Sequence, residues 1–256
     1  MKRIISFITA ACLIFCLSAC GKTSVGRTPI KPDKQTASVI TKPEIPLPPE
    51  HSPFYIPDIP VEDVILYFNE VCLDSEFVYG GDPSFVQKWV TPIYYTLEGT
   101  YTEEDLAVLE GFAYWLNTVD GFPGIYKTDD VFNRTLRICF GNESEMINEM
   151  GPDYYGLDGA VTFWYMDNEI YDAIIFYRSD IAQETRNSVI LEELYNGLGP
   201  IQDTALREDS IIYQEFSIPQ NLTPMDELII RLLYHPDILP GMNAEACGKI
   251  IRALYF

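Results

Sequence analysis

Leu191 to Asp203 reads LEELYNGLGPIQD, and the reading of this stretch decides the fold. A helix is expected from about Ala182 to Leu198, stopped by Gly199, which tolerates a left-handed cap, and by Pro200, which cannot continue a helix. On that helix Glu192 and Asn196 stand one turn apart and share a face, with Glu193 beside it. Glu192 and Glu193 point about 100° apart. That separation weakens a reading in which two neighbouring carboxylates raise each other's pKa and act as an acid-base pair. Gln202 and Asp203 follow the turn and supply two further polar side chains.

The spacing resembles H-E-x-x-H-x-x-G-x-x-H, the zinc-peptidase motif. In that motif two histidines four apart bind zinc, the glutamate activates water, and the glycine turns the chain toward a third histidine. Glu192, Glu193, Asn196, Gly199 and Gln202 occupy the successive positions, so the base and the glycine are kept while every ligand position differs. The chain has two histidines, His51 and His235, neither in this segment, which rules out a three-histidine zinc site. One carboxylate and two amide oxygens form a poor zinc set. Calcium accepts oxygen but takes six to eight ligands, and Asp203 with Glu193 still leaves its shell incomplete without water. No cofactor is therefore expected, with a weak oxygen-ligated ion as the alternative. Either these side chains form a hydrogen-bonded polar cluster without chemistry, or Glu193 serves as a general base with an atypical ion or none.

The amino terminus sets the expected location. Lys2 and Arg3 precede a mostly apolar run from Ile4 to Leu17, then Ser18, Ala19 and Cys20. A basic start, a short apolar core and small residues before a cysteine describe a signal peptide over 1–19, too short to span as a helix. Leu17 to Cys20 resembles the bacterial lipobox, which implies lipidation of Cys20 and anchoring to the extracytoplasmic face of the bacterial cell membrane. Residues 20–59 are rich in Pro, Lys and Thr and poor in apolar periodicity, as expected of a lipid-anchored flexible tether.

Residues 60–256 carry 10 Lys or Arg and 34 Asp or Glu, hence 10 − 34 = −24. This charge argues against nucleic acid and against adsorption to anionic lipid, and suits a soluble surface or a cationic partner. The length suits one domain. Cys72, Cys139 and Cys247 remain after the leader and Cys20, an odd number without motif spacing; one disulfide or three buried thiols both fit.

Apolar periodicity places helices at Val61–Leu73, from Thr102 through Leu116, from Thr223 through Leu233 and from Asn243 through Leu254. Strands are expected at Ile93–Leu97, Thr135–Phe140, Ala160–Tyr165 and Ile170–Tyr177, with Met166–Glu169 as a hairpin turn. On the third strand Phe163 and Tyr165 share one face and Trp164 takes the other. The order is that of an α+β domain with a mixed sheet.

A strand, a long helix, further strands and then a motif helix ending in glycine resembles the metzincin-like zinc peptidases. Ser210-Ile211-Ile212-Tyr213 is similar to their Met-turn, with Ile212 in the methionine's place, and Leu222–Pro236 is similar to their closing helix. More closely, the chain resembles the uncharacterised bacterial domain of unknown function 2927. The residues that carry this are Lys88-Trp89, Pro92-Ile93, the EEL and LG of the motif helix, Asp203, Ser210-Ile211, LTPMDELIIRLLY and Pro240-Gly241-Met242. The resemblance implies a zincin-like domain over 60–256 with altered ligand positions, and brings no established activity.

The expected function is that of a lipid-anchored extracytoplasmic protein whose peptidase-like domain does not hydrolyse peptides. Its residual cleft, around Glu192, Asn196, Gln202 and Asp203, is expected to bind a peptide or envelope protein, with a strand such as Ala160–Tyr165 pairing with an extended peptide. The alternatives are an envelope hydrolase using Glu193, and an acidic interaction lipoprotein. His235, beside Pro236, reads as a helix-terminal or surface residue.

Overall fold

The apolar spacing of Val64, Ile65, Phe68, Val71 and Cys72 builds the first helix, α1 (Val61–Leu73), and all five are buried. The computed structural model describes residues 52–73, 85–215 and 218–256, which fall in one compact unit. The expected leader, Cys20 and the expected tether up to residue 51 lie outside the described residues. The described residues begin at Ser52. Phe54, Tyr55, Ile56 and Ile59 pack against the core, and the Tyr255 hydroxyl meets the carbonyls of Ile56 and Ile59 at 3.0 and 2.5 Å.

The remaining elements are β1 (Lys88–Trp89), β2 (Ile93–Gly99), α2 (Glu103–Leu116), β3 (Ile125–Lys127), β4 (Leu136–Gly141), α3 (Glu143–Met150), a single 3-10 turn (Pro152–Tyr154), β5 (Gly159–Met166), β6 (Glu169–Arg178), α4 (Gln183–Asn196), α5 (Pro224–Leu233) and α6 (Ala244–Tyr255). The architecture is mixed α/β. β2 pairs in parallel with β3 and β4, and β4 pairs in parallel with β6. β1 joins the first two residues of β6, also in parallel. β5 alone runs antiparallel, against β6, and pairs with no other strand among the described residues.

That hairpin follows from its turn. Asp167 and Asn168 both have positive φ, at 54° and 66°, the backbone of the two-residue turn that matches strand twist and favours Asp and Asn. A bulge between Trp164 and Tyr165 interrupts the register, yet the expected faces hold. Phe163 and Tyr165 belong to the main core and Trp164 packs on the opposite side.

Strand alternation gives the sheet two covered faces. Ile138, Phe140, Val161, Phe163, Ile175 and Tyr177 enter the main core with α1, α2, α4, α5 and α6. Cys139, Ala160, Ile174 and Phe176 point the other way, toward Met146 of α3 and Tyr154. Helix α4 lies deepest. Every residue from Arg186 to Asn196 is buried, carboxylates included, as in a helix packed on all sides. No helix among the described residues is long and apolar enough to cross a membrane.

Candidate functional site

Helix α4 carries the motif-like residues, and its two ends are fastened by different chemistry. At the amino end Arg186 donates to Asp105 through Nε at 2.6 Å and to the carbonyls of Ser179 and Ile181 at 3.0 and 3.1 Å. Gln183 donates to Asp105 at 2.7 Å, and Asn187 donates to Glu104 at 2.8 Å. Asp105 also caps α2, accepting the Thr102 amide at 2.7 Å. Burial opposes ionisation of Asp105, but the Arg186 guanidinium and the Thr102 amide outweigh it and hold the carboxyl below its ordinary range.

At the carboxyl end backbone carbonyls are captured instead. Trp89 donates its indole N–H to Gly197 O at 2.9 Å, and the Tyr234 hydroxyl donates to Leu198 O at 2.8 Å. These bonds satisfy the carbonyls of the turn that follows the helix. Gly199 then turns the chain at φ 122°, and a Cβ there would stand 2.3 Å from Gln87 O. Only glycine meets both demands.

Between these ends lie the candidate residues. Glu192, Glu193 and Asn196 are buried, at 5%, 3% and 3% exposure. Glu193 runs beneath the start of β5, where a Cβ on Gly159 would meet its Cγ at 2.9 Å and Val189 Cγ1 at 2.3 Å. The Tyr177 hydroxyl donates to Ile190 O at 3.2 Å. Burial and the nearby Glu193 charge push the Tyr177 phenol well up. Asn196 Nδ2 donates to Asp203 Oδ1 at 3.3 Å, while its buried Oδ1 has no hydrogen-bond partner among the described residues. The Gln202 amide donates to Val71 O at 3.2 Å, tying this loop to α1. Gln202 and Asp203 are half-buried. The structure thus brings Asn196 to Asp203 and Glu193 to β5. Three cavities bounded by described residues lie away from this cluster.

The donor set does not fit zinc. Glu192 offers one carboxylate oxygen, which zinc accepts, but Asn196 and Gln202 offer amides in place of the nitrogen or sulfur ligands that complete a zinc site, and the Asn196 amide turns a donor N–H toward Asp203. No group of three His, Cys, Asp or Glu residues suited to a metal ion occurs among the described residues.

The landmarks after α4 have a structural logic that centres on Asp226. The Tyr67 hydroxyl donates to Ser210 Oγ at 2.8 Å, and Ser210 donates to Asp226 Oδ1 at 2.6 Å. Asp226 also accepts the Thr223 amide at 2.8 Å and completes the capping box of α5. Tyr195 of α4 donates to Asp226 O at 2.9 Å. Burial pushes the Asp226 carboxyl up despite these donors. Lys88, 6% exposed, donates to the Leu233 and Ile238 carbonyls at 2.9 and 2.5 Å. Burial brings its ammonium down to about 8.

Residues 62–253 match the family described as protein of unknown function (DUF2927). The chain belongs to this family. No match is found among curated proteins. In this DUF2927 domain, Lys88-Trp89, Leu198-Gly199, Ser210-Ile211 and Asp226 are the side chains and turns that fasten the ends of α4 and α5. Asp105 with Arg186 was not readable as a pair, because 81 residues separate them and each has an ordinary local role. The Thr-x-x-Asp capping pattern at Thr102 was the available signal for Asp105. Cys72, Cys139 and Cys247 are free and buried. His235 follows α5, 21% exposed, with Nδ1 accepting the Asp237 amide at 3.2 Å.

Proposed function

We propose that this chain is a lipid-anchored extracytoplasmic protein whose zincin-like domain binds an extended peptide or envelope protein without hydrolysing it. The anchor rests on the signal-like residues 1–19 and on Cys20. The zincin-like reading rests on the order of strand, long helix, further strands and a helix ended by glycine, which the element order follows. The observation that carries the binding reading is β5, an antiparallel strand lying against α4 and at the sheet's edge among the described residues. An extended peptide adds to such an edge through main-chain hydrogen bonds. The burial of Glu192, Glu193 and Asn196 favours the polar-cluster reading over a reactive centre, since a base must reach the proton it removes.

Hydrogen exchange of the purified chain with β-casein, an unfolded polypeptide, tests this reading. The expected result is added protection at Gly159–Met166 with intact casein. Unchanged exchange in β5 at saturating casein, or cleaved casein, contradicts it. Cys20→Ser is expected to release the protein from the membrane fraction; retention there contradicts the anchor.

A further inference from the structure

A cavity lies between the end of α2 and the end of α5. Its volume is about 460 Å³, and it is lined by Phe54, Trp115, Val119, Asp120, Arg231 and His235, among others. The turn after α2 is fixed by Asn117, which donates to Ile125 O at 2.9 Å and accepts the Ile125 amide at 2.8 Å. This turn presents Thr118 to Asp120 to the end of α5. The Phe54 ring stands edge-on to His235 with centroids 5.5 Å apart.

The polar groups at this cavity are donors for the most part. His235 Nδ1 accepts the Asp237 amide, so in the neutral ring the proton sits on Nε2. Arg231 uses Nη2 on Glu227 at 2.9 Å, and its other N–H groups have no partner among the described residues. The Trp115 indole N–H likewise has none among them. Asp120 is exposed at the rim and pairs with neither Arg231 nor His235 among the described residues, whereas Asp237 Oδ2 stands 3.9 Å from His235 Nδ1. Basic side chains at the carboxyl end of a helix also offset its dipole. That explains the sign of Arg231 and His235 but not an aromatic-walled space of ligand size between them. Glu227, Asp237 and Asp120 offset the basic groups here, so what marks the cavity is N–H donors left over beside aromatic walls rather than a positive net charge.

We propose that this cavity binds a small carboxylate carried on an apolar body. Arg231 takes the carboxylate through its planar fork, with His235 and the Trp115 N–H as further donors, and the apolar body lies against Trp115 and Phe54. A free acid and the carboxyl end of a peptide share this chemistry.

Titration of the purified full-length chain with 3-phenylpropanoate, its neutral amide and 3-phenylpropylamine, followed by tryptophan fluorescence, tests it. The acid is expected to saturate with a dissociation constant on the order of 1 mM, the scale for a ligand of this size. The amide and amine are expected to bind about tenfold more weakly, the margin of one charge-assisted hydrogen bond. Arg231→Met removes the preference for acid, and its side chain is 43% exposed, so the fold tolerates the change. Trp115→Phe keeps the ring, loses the donor and weakens only the acid, read by calorimetry. A tripeptide ending in phenylalanine assigns a peptide end if its free form binds as the acid does and its amidated form does not; binding of the acid alone assigns a small molecule. No saturation by either carboxylate, equal binding of acid and amide, or an unchanged preference in Arg231→Met overturns the proposal.

Discussion

The two ends of α4 reach the same outcome, a buried helix held in one position, by opposite means. The amino end depends on charge, with Arg186 and Asp105 paired at 2.6 Å inside the protein. The carboxyl end depends on neutral donors, Trp89 and Tyr234, and on the absence of a side chain at Gly199. The difference teaches which part of a motif-like sequence is architectural. Gly199 fits a backbone contact that permits no Cβ, whereas Glu192 and Asn196 are buried polar positions on the helix face.

The largest expected effect breaks the charged end. Arg186→Met strands the Asp105 carboxylate and is expected to cost about 3–5 kcal/mol in urea unfolding. Arg186→Met with Asp105→Leu is expected to recover most of that loss. Asp105 is held below its unfolded value, so its stabilising contribution is complete above about pH 3.9 and falls away as pH drops through the folded value. The double variant is expected to lose that acid dependence.

Gly199→Ala attacks the neutral end. A Cβ 2.3 Å from Gln87 O, at φ 122°, is expected to cost about 2–4 kcal/mol with no added dependence on pH. Thermal unfolding at two pH values checks both parts.

Lys88 sharpens the contrast, because it is a buried charge near the carboxyl end whose sign of effect is reversed. Its folded value of about 8 lies below its ordinary value of 10.5. Between these values the folded chain gives up a proton that the unfolded chain keeps, so stability rises with pH. The gain is expected to reach about 2 kcal/mol near pH 9.5 and to vanish in Lys88→Met, measured by urea unfolding. Tyr234→Phe is the smallest change, about 1 kcal/mol for one lost hydrogen bond to Leu198.

Much of this frame was legible in the sequence. The α1 bounds and the Asp167-Asn168 turn were readable, and β2, β4, β5 and β6 fall within two residues of expectation, because periodicity and turn chemistry are local. Strands β1 and β3 were not expected; at two and three residues they have no period to read. Helix α3 was missed because only Met146 of it is buried, although Asn142 and Glu145 form a capping box that marks its start. The mixed sheet was legible, but that it is mostly parallel was not, since strand direction depends on long-range pairing. At the site, the shared face of Glu192 and Asn196 was legible, but their burial and the bond from Asn196 to Asp203 were not.

The central proposal is that α4 keeps the frame of a zinc-peptidase helix without its reaction. Metal content and casein hydrolysis of the purified chain, measured together for the wild type and Glu193→Gln, test it most directly. Zinc well below one equivalent and no hydrolysis in either protein is the predicted result. One equivalent of retained zinc, with hydrolysis that Glu193→Gln abolishes, would contradict it.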